Sequence, residues 1–192
     1  MEEWPSVIHR EGRTLMRLFS NPDEDKVGPA IKGEDPVFYN PAMSRSRTRS
    51  VLLMQYAIEN KLLGNGPIYA VDGLAATGLR ARRWLNELPK ESAERIHATI
   101  IDMNQYALDL ALKTHEEFPP DHSKGELSAI NGDLRSAILN QGWHWVDIDP
   151  YGSPTPFLDT AIQSMARKGI IEVSATDTAA VSYTHLTLPT KA

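Results

Sequence analysis

The feature that most constrains this chain is a regular exchange between two hydrophobic periods. From residue 68 onward, short apolar runs alternate with segments of helical spacing. Residues 68–71, 98–101, 127–130, 143–148 and 170–174 read as strands, and 79–88, 104–118, 134–139 and 155–166 as helices. Parallel strands cannot be joined by a hairpin, so strand and helix in turn imply right-handed crossovers. The expected fold class is α/β: a doubly wound, mostly parallel sheet with helices on both faces. A further helix begins at Arg49, carries Val51, Met54, Ala57, Ile58 and Leu62 at helical spacing, and stops at Gly64. Residues 1–36 show no clear period and many turn formers, and read as an irregular N-terminal extension with one short hairpin folded over the main domain. Residues 37–181 form that domain. The tail, 182–192, continues no pattern and reads as non-native, with a further portion of the natural protein missing.

At 192 residues the chain is long enough for one domain with a sizeable core. It has no cysteine, which excludes disulfides, thiolate zinc sites and a cysteine nucleophile. Its six histidines are scattered, with none paired at helical spacing, so no metal site is expected. No apolar run reaches the roughly 18 residues of a membrane span, and the acidic start lacks a signal-peptide core. A cytoplasmic, monomeric protein is expected. The net charge of -5 disfavours nucleic acid only as an average. Arg45, Arg47 and Arg49 form one local basic cluster and Arg80, Arg82 and Arg83 another, each a solvated face or a phosphate contact.

In an open parallel sheet, ligands bind at the carboxyl ends of the strands. The first strand of the alternation runs into Asp72-Gly73-Leu74-Ala75-Ala76-Thr77-Gly78-Leu79-Arg80. Such a turn brings backbone close to a cofactor, with Asp72 and Gly78 at its ends and a helix N-terminus favouring polar or anionic groups behind it. It does not match the dinucleotide fingerprint. The next strand ends in Asp102, which suits a ribose diol or the cap of the following helix; Asn104 can fill the cap instead. Asp133 follows the third strand and is equally an adenine acceptor or a cap. The fourth ends in Asp147-Ile148-Asp149-Pro150-Tyr151-Gly152-Ser153-Pro154. A carboxylate, a rigid turn and a flat ring are suited to holding a planar heterocycle by its amino group. Asp147 reads as supporting or structural. Four successive strands with polar groups at one sheet edge suit S-adenosylmethionine across the first three and a target amine at the fourth.

Phe38-Tyr39-Asn40-Pro41-Ala42-Met43, the 72–80 loop, Asp149-Pro150-Tyr151-Gly152-Ser153-Pro154 with Pro156-Phe157-Leu158-Asp159, and Ala175-Thr176-Asp177-Thr178-Ala179-Ala180 together resemble the tRNA (guanine-N2)-dimethyltransferases. The resemblance covers roughly residues 36–181. It implies a Rossmann-like class I methyltransferase that uses S-adenosylmethionine to methylate the guanine at position 26 of tRNA. By position, the family's cofactor contacts fall on Arg47, Arg80, Asp102, Asp133 and Leu134. Its strand-four acid falls on Asp149, with Pro150 and Tyr151 completing the catalytic turn. The tRNA is expected to meet Phe38, Asn40, Arg45 and Arg49. This chain departs from the family at Ser46-Arg47-Thr48, where Asn-Arg-Asp is usual, and lacks the cysteine-containing turn and C-terminal domain. Rival expectations are a methyltransferase for DNA adenine or ribosomal guanine, a fragment that binds cofactor or RNA without turnover, and a nicotinamide oxidoreductase.

Overall fold

The computed structural model describes residues 4–22, 35–121 and 126–175. Residues 176–180 of the last motif and the 182–192 tail lie outside them.

The alternation of periods builds a single five-stranded sheet. Its strands are β3 (Ile68–Gly73), β4 (Ile96–Asp102), β5 (Glu126–Asn131), β6 (Trp143–Ile148) and β7 (Met165–Val173), in the order β5-β4-β3-β6-β7. All four pairings are parallel. The order reverses at β3, so its carboxyl end, between those of β4 and β6, is the topological switch point where such sheets bind ligands. An antiparallel hairpin, β1 (Val7–Glu11) and β2 (Thr14–Leu18), precedes the sheet. The helices are α1 (Ser44–Glu59), α2 (Leu79–Glu87), α3 (Lys90–Ala93), α4 (Gln105–Glu117), α5 (Leu134–Ala137) and α6 (Thr155–Gln163).

Two apolar layers sandwich the sheet. On one face, Met54, Ala57 and Ile58 of α1, Trp84 and Leu85 of α2 and Leu108 of α4 pack on Ile68, Ala70, Ile100 and Trp145. On the other, Leu134, Ile138 and Ala161 cover Val71, Ile101, Val146 and Ile148. Trp84 and Trp145 meet edge-on at 6.4 Å, a geometry favoured by the ring quadrupoles.

The elements differ from the sequence reading in two places. Helix α1 starts at Ser44, five residues before the expected Arg49, after a 3-10 turn at Pro41–Met43 whose first residues are capped by Asn40 Oδ1. Its inward face is Arg47, Ser50, Val51, Met54, Ala57 and Ile58, so Arg47 continues the apolar stripe and is buried with it. Strand β7 starts at Met165 rather than at 170, and α6 stops at Gln163. Trp143 pairs with Met165 but Trp145 with Ile170, so the extra residues bulge out at Arg167 and Lys168 and break the strand period. The described part of the N-terminal extension holds the hairpin, which lies against the main domain. Met16 and Leu18 of its hairpin pack on Leu79, and Gly12 turns at φ +59°, where a Cβ would lie 2.3 Å from Glu87 Oε1.

Candidate active site

A cavity of about 850 Å³ opens at the switch point. It is lined by the 36–40 segment, the 72–80 loop, Asp102 at the end of β4 and Asn104 just beyond it, and the Asp149–Ser153 turn after β6. Of the expected site residues, Phe38, Asn40, Arg47, Asp72, Arg80, Asp102, Asp149, Pro150 and Tyr151 line it. Gly78, Asp133, Leu134, Arg45 and Arg49 are not among its lining residues.

The loop after β3 is held in an unusual backbone conformation. Leu74, Ala76 and Gly78 all have positive φ, at 64°, 46° and 62°. Non-glycine residues in that region cost of order 1 kcal/mol or more each and persist only where surrounding bonds impose them. Asp102 is one such restraint: its Oδ2 accepts from Ala76 N at 2.8 Å and its Oδ1 from Asn104 N at 2.8 Å. Each carboxylate oxygen keeps a second lone pair for a ligand hydroxyl. Asn104 itself caps α4, accepting from Tyr106 N and Ala107 N, so the helix does not require Asp102 as its cap. At Gly78 a side chain would meet the Ala111 methyl at 2.9 Å, so this glycine lets the loop close against α4.

The α2 N-terminus differs from the anion site expected behind the loop. Ala81 N donates to Asp72 Oδ2 at 3.1 Å, so the protein's own acid occupies this first-turn donor. With Asp72, Asp102 and Asp149 on its walls, the cavity is rich in acceptors. That suits a cationic, hydroxyl-bearing ligand and disfavours a pyrophosphate.

Asp149 stands two residues beyond Asp147 on the same strand path. Its Oδ2 accepts from Arg80 Nη2 at 2.5 Å, while Oδ1 accepts no hydrogen bond among the described residues. Arg80 is almost fully buried and serves further acids, with Nε 3.0 Å from Asp147 Oδ2 and Nη1 3.6 Å from Glu172 Oε1. Asp72, Asp147 and Glu172 are register partners on β3, β6 and β7, so three acids form a row across adjacent strands beneath one guanidinium. Burial raises all three carboxyls above their ordinary range and Arg80 pulls each back down; Asp72 is pushed up to about 7. Pro150 is buried and fixes the turn. Tyr151 is 73% exposed at the mouth, edge-on to Phe38 with ring centres 6.1 Å apart.

Arg47 and the whole Arg80, Arg82 and Arg83 cluster are not the solvated or phosphate-facing surface the sequence allowed. Arg47, Arg80, Arg82 and Arg83 are buried. Glu11 of the hairpin accepts from Arg47 Nε at 2.7 Å and Arg83 Nη1 at 2.9 Å, and also from the Tyr39 hydroxyl at 2.9 Å. These partners hold its carboxyl below the usual range despite burial. Arg82 donates to the Thr114 and Phe118 carbonyls at the end of α4. With no acid paired to it among the described residues, burial lowers its pKa to about 10. Arg45 and Arg49 remain exposed. Asp133 caps α5 through Arg135 N and pairs with the Arg135 side chain, which holds its carboxyl down at about 2. Leu134 is core. Glu11, Ser50 and Glu172 were missed in the sequence. Their signal was a lone polar residue at an inward position of an apolar element, and their partners lie 28 to 122 residues away.

A model of the family "N2,N2-dimethylguanosine tRNA methyltransferase" matches residues 17–187. A tRNA (guanine(26)-N(2)/guanine(27)-N(2))-dimethyltransferase of Aquifex aeolicus is 33% identical over 164 residues, covering 83% of this chain and 39% of the relative. A tRNA (guanine(26)-N(2))-dimethyltransferase of Thermococcus kodakarensis is 36% identical over 154 residues, covering 74% of this chain and 38% of the relative. The chain thus spans about two fifths of the length of the curated relatives it matches. Among solved structures, Trm5b of Pyrococcus abyssi superposes with a TM-score of 0.58 at 17% identity, over 86% of this chain and 39% of that one. A precorrin methyltransferase of Geobacter metallireducens gives 0.53 at 12%, over 74% and 68%. These two establish a Rossmann-like methyltransferase fold. By its sequence, this chain belongs to the N2,N2-dimethylguanosine tRNA methyltransferase family.

Proposed function

We propose that this chain transfers methyl groups from S-adenosylmethionine to the exocyclic N2 of the guanine at position 26 of tRNA, giving N2-methyl- and N2,N2-dimethylguanosine. One observation carries the reading. Asp149 lines the same cavity as Asp102, with one oxygen pinned by Arg80 and the other unbonded among the described residues, and the Phe38 and Tyr151 rings stand at the same cavity.

The acceptor-rich cavity fits the cofactor. Asp102 would hold its ribose hydroxyls, and the backbone of the 74–78 loop gives close approach. S-adenosylmethionine, when bound, supplies a methyl group on a sulfonium, already a strong electrophile. The protein's task is then to make a poor nucleophile available. The guanine amine has its lone pair drawn into the ring. Asp149 Oδ1 accepts a hydrogen bond from N2–H and takes the proton as the new C–N bond forms. Arg80 fixes the carboxylate, so the geometry is set before the base arrives. The exposed Tyr151 offers a face to a base drawn out of its stack.

Mass spectrometry of nucleosides tests this directly, after unmodified tRNA is incubated with the chain and S-adenosylmethionine. N2-methylguanosine or its dimethyl form supports the reading. Methylated adenine from a parallel DNA incubation, or no methylated guanosine from tRNA, overturns it.

A further inference from the structure

Glu172 belongs to none of the recognised motifs and is not among the residues lining the cavity. Its carboxylate is nonetheless one side chain away from Asp149. Oε1 lies 3.6 Å from Arg80 Nη1, the nitrogen beside the Nη2 that binds Asp149. We infer that Glu172 is a positioning residue: it holds Arg80 Nη1 away from the unbonded oxygen of Asp149, keeping that oxygen for the amine. This rests on the amine chemistry proposed for Asp149.

The geometry of a guanidinium makes the role specific. Its nitrogens are coplanar and rigidly spaced, and its preferred mode with a lone carboxylate is bidentate, with two nitrogens on two oxygens. Bidentate capture of Asp149 would consume both of its oxygens. Here Arg80 distributes its nitrogens instead: Nε to Asp147, Nη2 to Asp149 and Nη1 toward Glu172. Nη1 makes no aligned hydrogen bond, so among the described residues Glu172 is the acid that draws it away from Asp149. Glu172 cannot follow the arginine, because Ser50 Oγ donates to its Oε2 at 2.5 Å and accepts from Trp84 Nε1 at 3.0 Å. Trp84 is locked in the core against Trp145. The charge is otherwise unfavourable, since Glu172 is a register partner of Asp147, which already pairs with Asp72. A glutamine would fill the same space without that repulsion, but would pull less on Nη1.

The test is a double-mutant cycle on the 192-residue chain with Glu172→Gln and Arg80→Lys, because a lysine cannot bind a carboxylate bidentately. The readouts are single-turnover methyl transfer to tRNA, calorimetric affinity for S-adenosylmethionine, and thermal stability. Glu172→Gln should slow transfer by about ten- to a hundredfold, with cofactor affinity and melting temperature essentially unchanged. In the Arg80→Lys background the same change should cost less than about twofold. Wild-type transfer in Glu172→Gln, or an equal loss in both backgrounds, overturns the inference. A wild-type chain that methylates no guanosine counts against the proposed function instead. Nitrogen-15 NMR of the Arg80 side chain then decides separately. Hindered rotation that changes in Glu172→Gln supports the positioning role, and an unchanged spectrum overturns it.

Discussion

Replacing Arg80 by Met should destabilise the fold in a strongly pH-dependent way. Methionine replaces most of the buried aliphatic stem, so the change is chiefly loss of the cation. Arg80 faces Asp147 at 3.0 Å, Asp149 at 2.5 Å and Glu172 at 3.6 Å, with Asp72 beside Asp147 on the next strand. Removing one partner of a buried ion pair costs about 3–5 kcal/mol. That figure applies where the acids are ionised. Burial holds the carboxyls of Asp72, Asp147 and Glu172 above their ordinary range, and Arg80 pulls each back down. Without Arg80 their folded-state values rise further, while the unfolded values stay near 4. A folded state that binds more protons than the unfolded one loses stability as pH rises through that window. The penalty should therefore grow with pH, from near 1 kcal/mol at pH 5, where the acids neutralise, toward about 3–5 kcal/mol at pH 8, as they are forced to ionise without their counter-ion. For a chain of this size the pH 8 loss is a fall of roughly 10 °C in melting temperature. Urea unfolding followed by tryptophan fluorescence reads it, since Trp84 and Trp145 are buried beside the network. A loss below about 1 kcal/mol at pH 8, or one equal at both pH values, would refute the counter-ion argument.

Three other perturbations probe separate parts of the account. Asp102→Ala should weaken S-adenosylmethionine binding about ten- to a hundredfold by calorimetry, the equivalent of 1.5–3 kcal/mol for charge-assisted hydrogen bonds. Tyr151→Ala should raise KM for tRNA about tenfold or more, given roughly 1–3 kcal/mol for one base stacked on an aromatic ring, and leave cofactor affinity unchanged. Arg82→Met should stabilise the fold by about 1 kcal/mol or more in urea, because this buried cation has no acid partner among the described residues. In the same variant, NMR should show the His115 pKa, held down to about 4 by burial and by Arg82, rising toward its ordinary value.

The frame of the fold was open to reading because its signals are local. Strand and helix periods lie within a dozen residues, and they located all five strands of the parallel sheet. The acids at the strand ends could be read for the same reason, since each closes an apolar run. Three kinds of feature could not be read this way. The bulge at Arg167 and Lys168 hid the first half of β7, because looped-out residues break a period of two. The burial of Arg47, Arg80, Arg82 and Arg83 was hidden because charge reads as surface, although Arg47 sits at helical spacing from Ser50, Val51 and Met54. The row Asp72, Asp147 and Glu172 depends on strand register across 100 residues, which no spacing along the chain expresses. Asp133 was evenly balanced between cap and ligand; the structure shows it capping α5 and pairing with Arg135.

The most direct measurement is methyl transfer by Asp149→Asn. The amide keeps the size and the contact to Arg80 Nη2 but cannot take a proton at neutral pH. Labelled S-adenosylmethionine and tRNA report turnover, and calorimetry reports cofactor binding on the same preparation. Transfer should fall about a hundredfold or more, with cofactor affinity nearly intact. Turnover close to wild type would contradict the role of Asp149, and would move the proton acceptor away from the end of β6.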